Sequence, residues 1–201
     1  MGWVGCAPRL DGRADPSGSP TLTIAGVVLA AGEGRRFGGP KAPVILDGER
    51  LVDRAVRTLR EGGCDEVLVV LGAWVGDVPN AEIVVNDDWR EGMGSSLRVA
   101  LAALADTDAD AAVVTLVDLP GLTPAAVRRL VESGAELAAG AYHGERGHPV
   151  LFARGHWSGV VASARGDVGA RDYLRDHKAE LQIIEVGDVA SGEDMDVPRT
   201  K

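Results

Sequence analysis

The apolar, β-branched run Leu22–Ala30 empties directly into a stretch that holds four glycines, Gly32, Gly34, Gly38 and Gly39, and this junction constrains the fold more than any other feature. A buried strand feeding a glycine-rich turn belongs to sheets whose loops carry ligands, because glycine lets the backbone approach a bound group. The rest of the chain keeps the same rhythm. Leu51, Val52, Ala55, Val56 and Leu59 have the spacing of a helix face, and Val67–Leu71 and Ile83–Val85 read as short buried strands. Leu97, Leu101 and Leu104 mark a second helix before the strand Ala112–Leu116. Thr123 is a candidate N-cap ahead of Pro124, with Val127, Leu130 and Val131 forming the stripe of a third helix. Further strands are predicted at Glu136–Ala141, Pro149–Ala153 and Leu181–Val186, and helices at Gly155–Ala164 and from Asp167 to about His177. Alternation of this kind predicts an α/β fold, three-layer α/β/α, on a mostly parallel sheet. Ligands then bind outside the carboxyl ends of the strands.

Residues 1–20 are rich in Gly, Pro and Ser and have neither helical nor strand periodicity, so a flexible N-terminal leader is expected there and a single domain over 21–201. With 45% hydrophobic and 25% charged residues the chain has the composition of a globular domain and not of a disordered one. A net charge of −9 disfavours nucleic acid as a polymer partner, and 4% aromatic residues are too few for base-stacking platforms. Cys6 and Cys64 form no CxxC pair, which points away from a disulfide framework or zinc and toward a reducing compartment. No apolar run reaches the roughly 18 residues of a membrane span. The expected location is cytoplasmic, with no membrane partner.

In Leu29-Ala30-Ala31-Gly32-Glu33-Gly34-Arg35-Arg36-Phe37-Gly38-Gly39-Pro40-Lys41, successive N–H groups can turn toward one anion while Arg36 and Lys41 add charge, an arrangement suited to a triphosphate. It is not a Walker A loop, because Lys41 is followed by Ala42 in place of Ser or Thr. Nor is it the dinucleotide fingerprint: Phe37 stands where the third glycine belongs, and Pro40 and Pro43 obstruct the helix that must start there. Asp118 follows the strand ending at Leu116, where a carboxylate can hold Mg²⁺, although a turn or N-cap aspartate explains it equally well. Asp194 and Asp196 flank Met195 and point to one side of an extended chain. Taken alone, they form an acidic surface turn. Gly94-Ser95-Ser96 precedes a helix and can offer N–H groups and hydroxyls to a nucleotide, or simply cap it. His148, before a proline, is more often a structural residue, and Asp167 reads as a helix cap with Arg171 one turn on. Trp74, Trp89 and Trp157 are assigned to packing.

The glycine segment resembles the L-A-A-G-x-G-x-R-(F/M)-G-x-x-K signature of the MobA-like NTP transferases, with every fixed position present. Asn86–Leu97, Arg146-Gly147-His148-Pro149 and Gly166–Arg171 are similar to segments of the molybdenum cofactor cytidylyltransferase group, so that the resemblance spans about residues 22–198. It implies the nucleotide-diphospho-sugar transferase-like, Rossmann-like form of the α/β fold, and Mg²⁺-dependent transfer of a nucleotide, CMP from CTP, to a phosphorylated acceptor, molybdopterin, with release of pyrophosphate. Asp194-Met195-Asp196-Val197-Pro198 resembles the D-x-D-T-P element, with Val197 in place of Thr, and this implies that Asp118 and Asp196 are metal ligands. Leu29, Ala30, Ala31, Gly32, Gly34, Arg36, Lys41, Gly94 and Ser95 are then expected to bind nucleotide, with Arg36, Lys41 and Asp118 catalytic. His148, Asp167 and Arg171 are expected to bind acceptor. Ala42-Pro43 stands where the family carries a bulkier apolar pair, a departure expected to reshape the pocket. A molybdenum hydroxylase or its maturation factor is the implied partner. The glycine loop and the G-M-G-S-S segment are also similar to nicotine blue oxidoreductase, which makes an NAD(P)H-dependent reductase the alternative. A molybdenum cofactor chaperone is a third, non-enzymatic reading.

Overall fold

The computed structural model describes residues 22–196. In chain order the elements are β1 (Ile24–Leu29), β2 (Ile45–Leu46), β3 (Glu49–Arg50), α1 (Leu51–Glu61), β4 (Glu66–Leu71), β5 (Glu82–Val85), α2 (Met93–Ala105), β6 (Ala111–Leu116), α3 (Pro124–Val131), β7 (Leu137–Tyr142), β8 (Glu145–Ala153), α4 (Arg154–Ser163), α5 (Arg171–Asp176) and β9 (Gln182–Glu185). Seven strands form one sheet in the order β5-β4-β1-β6-β8-β7-β9. β8 is antiparallel to both of its neighbours and the other pairings are parallel, which gives the mostly parallel sheet that the alternation predicts.

The period of 2 along β1 shows how the layers form. Ile24 and Val28 face one side, where α1 and α3 bring Val52, Val56, Leu59, Val127 and Leu130. Ala25, Val27 and Leu29 face the other, against Leu97, Leu101 and Leu104 of α2, Trp157 and Val160 of α4 and Leu174 of α5. Both faces of the central strand are buried, so it reads as a continuous apolar run and not as an alternating one. Gly26 is the exception that sets a distance. A Cβ there would lie 3.0 Å from Leu59, so glycine lets α1 settle closely on the sheet. Thr123 caps α3 as its sequence predicts, accepting the Ala126 N–H at 3.3 Å.

Three local expectations are corrected. Ile83–Val85, expected as a buried strand, belongs to the edge strand β5, where Ile83 and Val85 are exposed. The helix expected from Asp167 to His177 is broken: Gly166–Val168 is a single 3-10 turn, Gly169 has φ 57°, and α5 starts only at Arg171. Asp167 is therefore not the cap of a long helix but a residue of that turn. Gly94-Ser95-Ser96 does not precede α2 but forms its first turn. A small β2–β3 hairpin, turned by Asp47 and Gly48 with φ 52° and 85°, adds to the elements that the sequence predicts. β1 pairs with β4 on one side and β6 on the other, so the order in which the chain lays down strands reverses there, and the crevice above β1 and β6 is the ligand position for this class of sheet. The leader at 1–20, Cys6 and Val197 lie outside the described residues.

Candidate active site

β1 ends at Leu29, and the chain beyond it is held in place before it turns: Ala30 donates to the Val70 carbonyl at 2.9 Å, and the Ala31 carbonyl accepts from Ala73 at 2.9 Å. The loop then closes on Gly34. Its carbonyl accepts the N–H groups of Gly38 at 2.9 Å and Gly39 at 3.2 Å. Gly34 has φ 62°, and a Cβ there would lie 2.0 Å from the Gly39 carbonyl oxygen, so only glycine fits. Turns and not a helix follow, consistent with Pro40 and Pro43, and they deliver Lys41 back beneath the loop. Ala42 is fully buried against the α1 face and does not line the cavity, so its departure from the family pattern acts on the support of the loop and not on its ligand face.

At the neighbouring strand end, Val117 donates to the Leu29 carbonyl at 3.2 Å and Asp118 follows. The C-terminal segment is stitched to this edge. Met195 donates to the Asp118 carbonyl at 2.9 Å and Ser191 to the Gly121 carbonyl at 3.0 Å. Burial of Met195 in the core leaves Asp194 and Asp196 on its two sides, and carboxylate oxygens of Asp118, Asp194 and Asp196 fall within 4.8 Å of one another. Lys41 Nζ donates to Asp118 Oδ2 at 2.8 Å and to Asp196 Oδ1 at 3.3 Å, while Arg36 pairs with Asp196 Oδ2 at 2.9 Å. Asp118 Oδ1 is buried and has no hydrogen-bond partner among the described residues. An all-oxygen cluster with an unmatched buried acceptor fits a hard divalent cation, whose opposite oxygen ligands stand about 4 Å apart for Mg²⁺.

A cavity of about 380 Å³ lies over this edge. Of the residues expected to bind nucleotide or metal, it is lined by Leu29, Ala30, Ala31, Gly32, Gly34, Lys41 and Asp118, and Asp167 also faces it. Arg36, Gly94, Ser95 and Asp196 do not line it. The Ser95 hydroxyl is turned inward, donating to the Gly92 carbonyl at 2.8 Å, and buried Asn86 donates to Ser95 Oγ at 2.8 Å and Ser96 Oγ at 3.0 Å. Those bonds fix the far wall, Gly92, Met93 and Ser96. Trp89, expected only to pack, both packs on Gly72 and lines the cavity, with the Arg90 guanidinium 4.2 Å over its ring.

A second cavity of about 170 Å³ shares Leu29 and Met93 with the first. His148 and Arg171 meet there with Arg146, above a floor that includes Leu97, Val114, Phe152 and Leu174. Asp167, expected to bind acceptor together with His148 and Arg171, lines the first cavity and not the second. β8 enters from the ligand edge because it is reversed, and this brings His148 to the cavity ahead of its strand's buried half. The ladder between β7 and β8 slips at Gly140, where a Cβ would crowd the His148 carbonyl at 3.2 Å, and Tyr142 Oη donates to that carbonyl at 2.7 Å. The His148 ring lies deep in the fold with part of its surface facing the cavity. Burial holds its pKa below the ordinary value, against the opposing pull of the Val114 carbonyl and Asp118. Donation from Nδ1 to that carbonyl, 3.4 Å away, leaves the lone pair on Nε2.

Glu33, Arg35, Arg90 and Met93 in the first cavity and Arg146 in the second are not among the residues expected to form the site. The signal for most of them was position, since each borders a motif residue.

Residues 26–181 match the model of the MobA-like NTP transferase domain. The chain is 41% identical over 189 residues to nicotine blue oxidoreductase from Paenarthrobacter nicotinovorans, covering 86% of this chain and 92% of that one. It is 39% identical over 103 residues to a probable molybdenum cofactor guanylyltransferase from Opitutus terrae, covering 51% of each. Among solved structures, Rv0371c from Mycobacterium tuberculosis H37Rv superposes with a TM-score of 0.74 at 31% identity, over 88% of this chain and 94% of that one. A manganese complex of Rv0371c gives 0.67 at 27% identity, over 82% and 89%. The glycine loop, the strand order and a family match over most of the chain agree, and the chain belongs to the MobA-like NTP transferase family of nucleotidyltransferases.

Proposed function

We propose that the protein transfers a nucleotide, CMP from CTP, to a phosphorylated acceptor of the molybdopterin type and releases pyrophosphate. The observation that carries this reading is the pairing of two adjoining cavities. One is bounded by a glycine loop, Lys41 and Asp118, whose carboxylate lies beside those of Asp194 and Asp196, and the other by Arg146, His148 and Arg171 over an apolar floor. A triphosphate suits the first and a phosphorylated, flat acceptor the second. An acceptor phosphate oxygen attacks the α-phosphorus, the bond from that phosphorus to the bridging oxygen breaks in line, and pyrophosphate carries the electron pair away. No side-chain nucleophile is required. Asp118 and Asp196 would hold a divalent cation that neutralises charge on the α-phosphate. Lys41 and Arg36 stabilise the outgoing pyrophosphate, while Arg146 and Arg171 hold the acceptor phosphate in reach. Neutral His148 accepts a hydrogen bond at Nε2. Trp89 and Met93 are bulky walls, which supports the smaller pyrimidine base over guanine.

The similarity to nicotine blue oxidoreductase over nearly its whole length favours a second reading, reduction of a planar substrate by NAD(P)H on the same scaffold. One set of assays separates the two. Pyrophosphate release is measured with each nucleoside triphosphate, Mg²⁺ or Mn²⁺ and molybdopterin, beside NAD(P)H oxidation with a quinonoid dye. Release with CTP supports the first proposal, release with GTP replaces its base, and dye reduction without pyrophosphate release replaces the reaction.

A further inference from the structure

We propose that Lys41 gates the metal site. Its ammonium and the divalent cation are alternative occupants of the space between Asp118 and Asp196, and the cation enters once a triphosphate draws the ammonium away. The inference takes its metal from the nucleotidyltransferase reading.

The ammonium already holds two of the oxygens that a cation would use. Nζ lies 2.8 Å from Asp118 Oδ2 and 3.3 Å from Asp196 Oδ1, so a cation that drew on those two oxygens would compete with the ammonium for them. The Lys41 side chain is 12% exposed, so little water is at hand to screen one positive charge from the other. Charge balance points the same way. The cluster holds three carboxylates, and Lys41 and Arg36 supply two positive charges to it, which leaves one net negative charge. A cation approaching that state gains little.

A triphosphate changes the balance. It offers Lys41 and Arg36 an anionic partner at the adjoining glycine loop, and the carboxylates then recover their full negative charge for the metal. Lysine suits this role, being a single point charge on a stem with four rotatable bonds, able to swing between partners without dismantling the loop. Arg36, 81% exposed, leaves Asp196 at little cost. Metal and triphosphate are therefore coupled through a side chain of the protein as well as through direct contact, and linkage requires the coupling to be reciprocal.

The test measures Mn²⁺ binding to the nucleotide-free full chain by the loss of the free-ion EPR signal. The wild type is compared with Lys41→Met, with Lys41→Gln, which keeps a polar end on the side chain, and with Lys41→Met/Asp118→Asn. Both single variants should bind Mn²⁺ about tenfold more tightly than the wild type, within the usual range of coupling factors, and Mn²⁺ should raise their melting temperatures by more. The double variant should lose the gain. Equal or weaker Mn²⁺ affinity in the folded single variants overturns the gate, as does a gain that survives Asp118→Asn. No nucleotide or turnover enters the measurement, so failure of pyrophosphate release would remove the transferase reading without changing this result, and the reverse also holds.

Discussion

Met195 donates its backbone N–H to the carbonyl oxygen of Asp118 at 2.9 Å, and this one bond ties the last described segment of the chain to the end of a central strand. The thioether is buried in the α1/α3 face of the core, so the two aspartates beside it are positioned by packing and not by their own contacts alone. Met195→Ala should cost about 2 kcal/mol or more of stability, typical of a truncated core methionine. Mn²⁺ affinity should fall with it, although no carboxylate has been removed. Urea unfolding and metal titration on the same preparation check both; unchanged metal binding in a destabilised variant would separate packing from the site.

Gly34→Ala places a side chain on a backbone of φ 62° with its Cβ 2.0 Å from the Gly39 carbonyl. The loop must open. Triphosphate affinity should fall at least tenfold, while thermal stability falls by a local strain of about 1–3 kcal/mol. Calorimetric titration with a nucleoside triphosphate tests this, and near-normal affinity would show that the loop tolerates another path.

Lys41→Ala, measured with a chelator present so that metal does not intervene, should weaken triphosphate binding more than monophosphate binding. The ammonium serves the outer phosphates in the proposed complex. Equal losses for the two ligands would move Lys41 to the α-phosphate.

Burial depresses the pKa of His148 below its ordinary 6.5. As pH falls below that value the unfolded chain takes up a proton that the folded protein refuses. Stability therefore drops through the window between 6.5 and the lower folded value, and is level above it. His148→Gln should flatten the decline of melting temperature between about pH 7 and pH 5. A parallel decline in both proteins would mean that the imidazole is hydrated.

Asn86→Ala strips two hydrogen bonds from the buried Ser95 and Ser96 hydroxyls. Leaving them short of a donor should cost about 1–3 kcal/mol and loosen the wall at Gly92 and Met93. Faster proteolysis within residues 86–97 would reveal the loosening, and an unchanged cleavage rate would assign Asn86 to stability alone.

The parts of this architecture that could be read in advance are those where a single physical rule dominates. Continuous apolar runs located β1, β4 and β6, and 3.6-residue stripes located α1, α2 and α3. The broken helix shows where reading failed. Gly166 and Gly169 stand either side of Asp167-Val168, and their positive φ values end one turn and delay the next. Apolar spacing across them still looked helical. The β2–β3 hairpin carried an Asp47-Gly48 turn signal, but strands of two residues leave almost no periodicity to find. At the site, glycines and cations pointed to phosphate binding, and Asp118 and Asp196 do converge on Lys41. What local sequence could not reveal was direction: Ser95 looked like a ligand group because serine at a helix start often is one, yet Asn86 captures it. Trp89 looked like packing because tryptophan usually is, yet it packs and lines the cavity together.

The reversal of β8 brings a separate part of the polypeptide to the second cavity. Every residue bordering the first cavity except Asp167 comes from positions 29–118, whereas Arg146, His148 and Arg171 of the second come from the stretch that begins with the turned-around strand. On the proposed reading, changes at residues 146–174 would alter what is received while the lining of the donor cavity stayed intact, with Leu29 and Met93 bordering both.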